Sequence, residues 1–142
     1  MRLVLDTSVM VAALRSGLGA SRQLLVAALE KRITLLASVP LMIEYEAVLT
    51  RPEHLQVSGI SVGEMNAVLD AVAAVAEPVR LSFLWRPMLT DPDDDMVLET
   101  AMNGQADYLV TFNQKDFDEP AATLGCSVAL PRNVLREVGR KR

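Results

Sequence analysis

The stretch Asp91-Pro92-Asp93-Asp94-Asp95, followed by Ala106-Asp107-Tyr108-Leu109-Val110-Thr111-Phe112-Asn113-Gln114-Lys115-Asp116-Phe117, sets the architecture. The acids crowd at a helix start, where the helix dipole favours them, and Gly104 is placed to close that helix. The run Tyr108 to Thr111 then reads as a strand. Five carboxylates fall within nine residues (Asp91, Asp93, Asp94, Asp95, Glu99), and Asp116 follows the strand. Two carboxylates about 5 Å apart repel by roughly 3 kcal/mol at an effective dielectric of about 20. A divalent cation turns that penalty into binding energy. The N-terminus repeats the arrangement, with Leu3-Val4-Leu5 running straight into Asp6-Thr7-Ser8. The pattern predicts a carboxylate metal site at strand ends.

Outward from these segments, strands and helices alternate. Arg2 to Leu5, Ile33 to Ala37, Val79 to Leu84, Tyr108 to Thr111 and Cys126 to Leu130 read as strands. Helices are expected at Val9 to Leu14, Ser21 to Lys31, Pro40 to about Leu49, Ser61 to Ala76, Asp93 to Gly104 and Arg132 to Val138. Ser21 is the expected N-cap of the second helix, and Pro40 suits a first turn. Pro52 is read as ending the third helix, and Ser61 with Glu64 has capping-box spacing. Alternation of this kind predicts a parallel sheet covered on both faces. Uninterrupted apolar strands such as Leu3-Val4-Leu5 agree with burial from both sides. The expectation is one α/β/α domain over residues 1–142, with a basic C-terminal helix and tail over 132–142.

Composition removes several classes of chemistry. The chain has 142 residues, 51% hydrophobic, enough to bury a core. The longest apolar runs, such as Val9 to Leu14, are six residues, far short of the ~20 that span a bilayer. No charged segment precedes a long apolar one as in a signal peptide, so a cytoplasmic location is expected. Cys126 and His54 are the only residues of their kinds, which excludes a disulfide framework and the usual zinc sites. His54, in Arg51-Pro52-Glu53-His54, reads as a polar loop residue, so a Ser-His-Asp triad is not expected. The net charge is −4, but residues 132–142 carry five basic side chains against Glu137. Such a tail binds phosphate backbones or an acidic partner, or simply aids solubility.

In open parallel sheets, ligands bind at the carboxyl ends of the strands. Asp6 comes just after strand one, Asp116 in the loop after strand four, Asp95 in the helix feeding strand four, and Glu44 in the helix after strand two. These acids face one cleft if strands one and four are neighbours. Asp6 has capping the next helix as its ordinary alternative. Helical periodicity does not choose between Glu44 and Glu46. Asp94 is an alternative to Asp95.

Asp6-Thr7-Ser8 after an N-terminal strand, Glu44 in Ile43-Glu44-Tyr45, Asp95 with its helix, and Thr111 to Phe117 resemble a PIN-domain ribonuclease. The likeness is greatest to VapC-like toxin components of bacterial toxin–antitoxin systems, and covers nearly the whole chain. The resemblance implies a five-stranded parallel sheet, homodimerisation, cleavage of single-stranded RNA and inhibition by a cognate antitoxin. It implies that Asp6, Glu44, Asp95 and Asp116 bind Mg²⁺ or Mn²⁺, metals that prefer oxygen ligands. Asn113 would orient a ligand or reach the metal through water. Ser8 and Thr111 would hydrogen-bond the carboxylates, with Asp94 beside them. Phe112 stands where a small or polar residue would leave the cleft more open. On an acidic body, RNA binding needs the ion and arginines (Arg15, Arg22, Arg51, Arg86 and the tail). Met96, Met102 and Trp85 read as core or dimer-face residues.

Two rivals remain at this level. One is a catalytically inactive PIN-fold module that binds RNA or protein. The other is a phosphatase like the haloacid dehalogenases with Asp6 as nucleophile, which usually wants an acid two residues on, where Ser8 stands.

Overall fold

The computed structural model describes residues 1–17, 19–82, 92–123 and 125–140, apart from the side chains of 92–94, 118–120, 122, 123 and 140. Asp91, Trp85, Arg86, the side chains of Asp93 and Asp94, and the last basic residues of the tail therefore lie outside the description.

Five strands form one parallel sheet: β1 (Arg2–Leu5), β2 (Thr34–Ala37), β3 (Glu77–Pro78), β4 (Tyr108–Val110) and β5 (Val128–Ala129). Their order is β3-β2-β1-β4-β5. The chain steps from β1 outward to β2 and β3, then returns to the other side of β1 for β4 and β5. Right-handed crossovers place helices that follow opposite steps on opposite faces. Accordingly α1 (Thr7–Arg15), α2 (Ala20–Leu29) and α8 (Pro131–Arg140) pack together, while α6 (Pro92–Asn103) and α7 (Gln114–Thr123) pack together elsewhere. Helices α3 (Val39–Leu49), α4 (Pro52–Ser58) and α5 (Val62–Val75) fill the crossover from β2 to β3. The result is a three-layer α/β/α sandwich. Leu3, Val4 and Leu5 are completely buried, as are Leu109 and Val110, because both faces of the sheet are covered.

Several boundaries follow local chemistry. Ser61 caps α5 with the reciprocal box: its Oγ accepts from Glu64 N–H and its own N–H reaches Glu64 Oε1. Ser38 caps α3 by accepting from Leu41 N–H. Ser21, expected as a cap, instead lies buried inside the first turn of α2, and Gly19 holds the cap position. Pro52 does not merely end a helix. It starts α4, where a missing N–H costs nothing, and Gly59 at φ 71° closes that helix.

His54 is therefore helical and half-buried rather than in a loop. Its Nδ1 lies 3.0 Å from Arg15 Nη2. A guanidinium only donates, so Nδ1 accepts and the neutral ring carries its proton on Nε2.

The third strand also shifts. It is Glu77–Pro78, anchored beyond its end by Val79 N–H to Ala37 C=O at 2.9 Å. Of the expected strand Val79 to Leu84, Val79 keeps this one bond, residues 80–82 are not strand, and Leu84 lies outside the described residues.

Candidate active site

Ser38, Asp6 and Thr111 are the first residues past β2, β1 and β4, three adjacent strands. Leu5 is in register with Val110, so Asp6 and Thr111 stand side by side. The ladder runs one step beyond the strands: Asp6 N–H donates to Val110 C=O at 2.9 Å, and Thr111 N–H to Ala129 C=O at 3.0 Å. This is the carboxyl edge of the sheet at the point where strand order reverses, the ordinary ligand position of an open α/β sheet.

Asp6 is only 5% exposed. It occupies the N-cap position of α1 but makes no side-chain capping bond. Its Oδ2 instead accepts two hydroxyls, Ser8 Oγ at 3.0 Å and Thr111 Oγ1 at 2.7 Å. Thr111 Oγ1 in turn accepts Asn113 N–H at 3.0 Å. The ordinary explanation of an Asp before a helix is thus not the one this side chain follows.

Tyr45, wholly buried on α3, donates its hydroxyl to Leu5 C=O, the residue before Asp6. Burial, then the Asp6 charge, push its phenol far above the ordinary range. The phenol is a neutral pin that fixes α3 to the end of β1. Glu44, next to it, is half-buried, whereas Glu46 is exposed and faces a cleft between α3 and α5. Periodicity left these two acids equivalent; burial separates them.

Helix α6 runs against β1, β2 and β4. Arg2, at the start of β1, donates from Nη2 to Gly104 C=O at 2.8 Å, past the C-terminal end of α6. Thr100 Oγ1 meets Ser38 Oγ at 2.7 Å, past the end of β2. The helix is therefore antiparallel to the strands, and Asp95 lies about 7.5 Å further along its axis from Thr100, toward the carboxyl edge. Asp95 is 3% exposed and Glu99, one turn on, is 1% exposed. Glu99 belongs to the acid cluster seen in the sequence but is not among the residues expected to bind metal. Its i+4 spacing from Asp95 was the available signal, since both then share a helix face.

Residues 2–115 match the PIN-domain family model. The chain belongs to the PIN-domain family. The structure is also similar to one titled "Crystal structure of VapBC2 from Rickettsia felis bound to a DNA fragment from their promoter". The TM-score is 0.61 at 17% identity, covering 90% of this chain and 97% of that one. No curated protein sequence matches this chain.

In this PIN domain Asp116 is not in a loop. It sits exposed in the first turn of α7, a helix the sequence reading did not expect, with its N–H on Asn113 C=O at 3.0 Å. Asn113 is exposed beside Thr111. Among the described residues, no three His, Cys, Asp or Glu side chains are grouped closely enough to enclose an ion by themselves. Mg²⁺ does not require such a cage, because one or two carboxylates with water and substrate phosphate suffice. Asp6 and Asp95, buried oxygen donors on elements that meet at the carboxyl edge, fit that chemistry. Burial pushes the Cys126 thiol above the ordinary thiol range.

Proposed function

We propose that this PIN domain is a metal-dependent endoribonuclease that cleaves single-stranded RNA and serves as the toxin of a toxin–antitoxin pair. The observation that carries the reading is the Asp6 carboxylate, buried between the ends of β1 and β4 and held by Ser8 and Thr111. A buried carboxylate oriented by hydroxyls is the arrangement of a metal-directed acid.

Asp6, Asp95 and Glu44 would hold Mg²⁺ or Mn²⁺, with Asp116 as the outermost acid and Asn113 orienting a ligand. Asp94 is the alternate to Asp95. When bound, the ion would lower the pKa of water and offset charge on the phosphate oxygens. Ser8 and Thr111 keep the Asp6 lone pairs aimed, and Tyr45 fixes the helix that carries Glu44. The VapBC2 likeness supports a search for an antitoxin partner. Homodimerisation, a cytoplasmic location and a single domain over 1–142 belong to the same proposal. Among the described residues, no helix is long and apolar enough to cross a membrane.

The test is cleavage of a short single-stranded RNA with Mg²⁺ by the wild type and by Asp6→Asn. The expected result is cleavage by the wild type and a loss of at least ~100-fold in the variant, the scale of losing one aimed charged group. Equal rates in the two would refute the assignment. RNA binding without cleavage, unchanged by the substitution, would favour the inactive binding module.

A further inference from the structure

Beside the carboxyl edge lies a second concavity, of about 410 Å³, lined by Ala12, Ser16, Ser21, Phe112, Pro131 and Arg132 among others. Phe112 is 49% exposed although it is large and apolar. It is one peptide step, ~3.8 Å between Cα atoms, from Thr111, whose hydroxyl holds Asp6. The opposite wall comes from the C-terminal half of α1 at Ala12, from Ser16 after it, and from the opening of α2. Arg132 is exposed at the rim, and no carboxylate lines the cavity among the described residues. At the α2 opening, Gly19 offers no side chain to cap the first-turn amides.

An aromatic face and an arginine next to an acidic site form an unusual combination on a chain of net charge −4. The aromatic face suits any unpaired base, because every base has a π-face. The arginine suits the phosphate attached to it. We infer that this cavity is a base subsite, in which Phe112 stacks an unpaired nucleobase next to the scissile phosphate and Arg132 contacts the adjoining backbone. The inference rests on the ribonuclease reading and deepens it. It explains how a large apolar residue stands at the mouth of the cleft: Phe112 narrows the site to single strands, since a base inside a duplex has both faces covered by its stacked neighbours.

Binding of labelled single-stranded RNA of mixed sequence is measured with the full chain in Ca²⁺, an oxygen-binding divalent ion, in place of Mg²⁺. Phe112→Ala is expected to weaken it by about 5- to 150-fold, and Phe112→Trp to retain it. Arg132→Gln should reduce the slope of log affinity against log salt by about one phosphate contact. An RNA series with one abasic position at each site should contain a position whose loss weakens the wild type but not Phe112→Ala. Phe112→Ala binding like the wild type, or losing equally on every abasic RNA, overturns the subsite; the cavity would then be left to a protein side chain. Mg²⁺ cleavage that depends on Asp6 but ignores Phe112 sinks the subsite alone. A wild type that neither binds nor cuts RNA sinks both readings.

Discussion

Thr111 Oγ1 donates to Asp6 Oδ2 at 2.7 Å across the join between β4 and β1, with both residues buried. The bond exists because two parallel strands end in register, and it fixes which lone pairs of Asp6 remain for another ligand. Thr111→Val keeps the shape and deletes the donor. Orienting partners of this kind are worth about 10–100-fold in metal affinity or activity. The variant should lose Mn²⁺ affinity, by calorimetry, and RNA cleavage to that extent, while Thr111→Ser keeps both. A valine variant with unchanged affinity would show that Thr111 is only a packing residue.

Asp6 should also carry a stability cost. Its charge is desolvated, on a sheet edge that shares α6 with the buried acids Asp95 and Glu99. Asp6→Asn removes that charge and keeps an oxygen for the hydroxyls of Ser8 and Thr111. In urea unfolding with EDTA, the variant should be about 0.5–2 kcal/mol more stable than the wild type, the usual exchange at functional sites. Mg²⁺ at a hundred times its dissociation constant should raise the wild type by about 2.7 kcal/mol and leave the variant unmoved. A less stable variant would mean that the carboxylate is a structural group.

Much of this arrangement was legible in the residues, and the failures have physical causes. Leu3-Val4-Leu5 and Tyr108 to Val110 announce themselves because parallel strands are apolar on both faces. The Ser61 box is local, so sequence spacing is enough to find it. What escaped depends on tertiary partners. Gly104 does follow the last residue of α6, as its place in the sequence suggests, but the left-handed backbone falls on Gln105, at φ 53°. Gly104 is needed for closeness: a Cβ there would lie 2.9 Å from Val79 Cγ2 and 3.0 Å from Leu36 Cδ1. The hydroxyl partner of Tyr45 is a backbone carbonyl forty residues away. A buried phenol needs such a partner, which is the clue that was available. Helix α7 was missed because its sequence is polar and lacks an apolar stripe, with Phe117 and Ala121 as its anchors in the core.

Tyr45 makes an alkaline prediction. In the folded protein the phenol is held far above its ordinary value near 10, by burial first and by the Asp6 charge second. A raised folded-state pKa gives stability that is complete below the unfolded value. That stability is lost as pH rises, because only the unfolded chain gives up its proton. Unfolding free energy should therefore decline above about pH 10 at up to about 1.4 kcal/mol per pH unit from this group. Tyr45→Phe should be about 1–2 kcal/mol less stable near neutrality, from the lost bond to Leu5, with a shallower alkaline decline in denaturation measured across pH. Parallel declines in the two proteins would contradict the role of the phenol.

Ser38 and Thr100 give a prediction with a direction built in. Each hydroxyl has one proton to donate. Thr100 Oγ1 donates to Met96 C=O at 2.8 Å, so at Ser38, 2.7 Å away, it accepts. The order is thus Ser38 to Thr100 to Met96, while Ser38 Oγ also accepts from Leu41 N–H. This relay joins the start of α3 to α6, the helix of Asp95, across buried ground. Thr100→Val leaves the Ser38 proton without an acceptor and should cost about 1–3 kcal/mol. Thr100→Ser should keep most of the stability. The double variant with Ser38→Ala should cost less than the sum of its singles, by at least about 0.5 kcal/mol in a denaturation cycle. Strict additivity would mean that the two hydroxyls act independently. The positioning of Asp95 would then rest on the apolar packing of α6 alone.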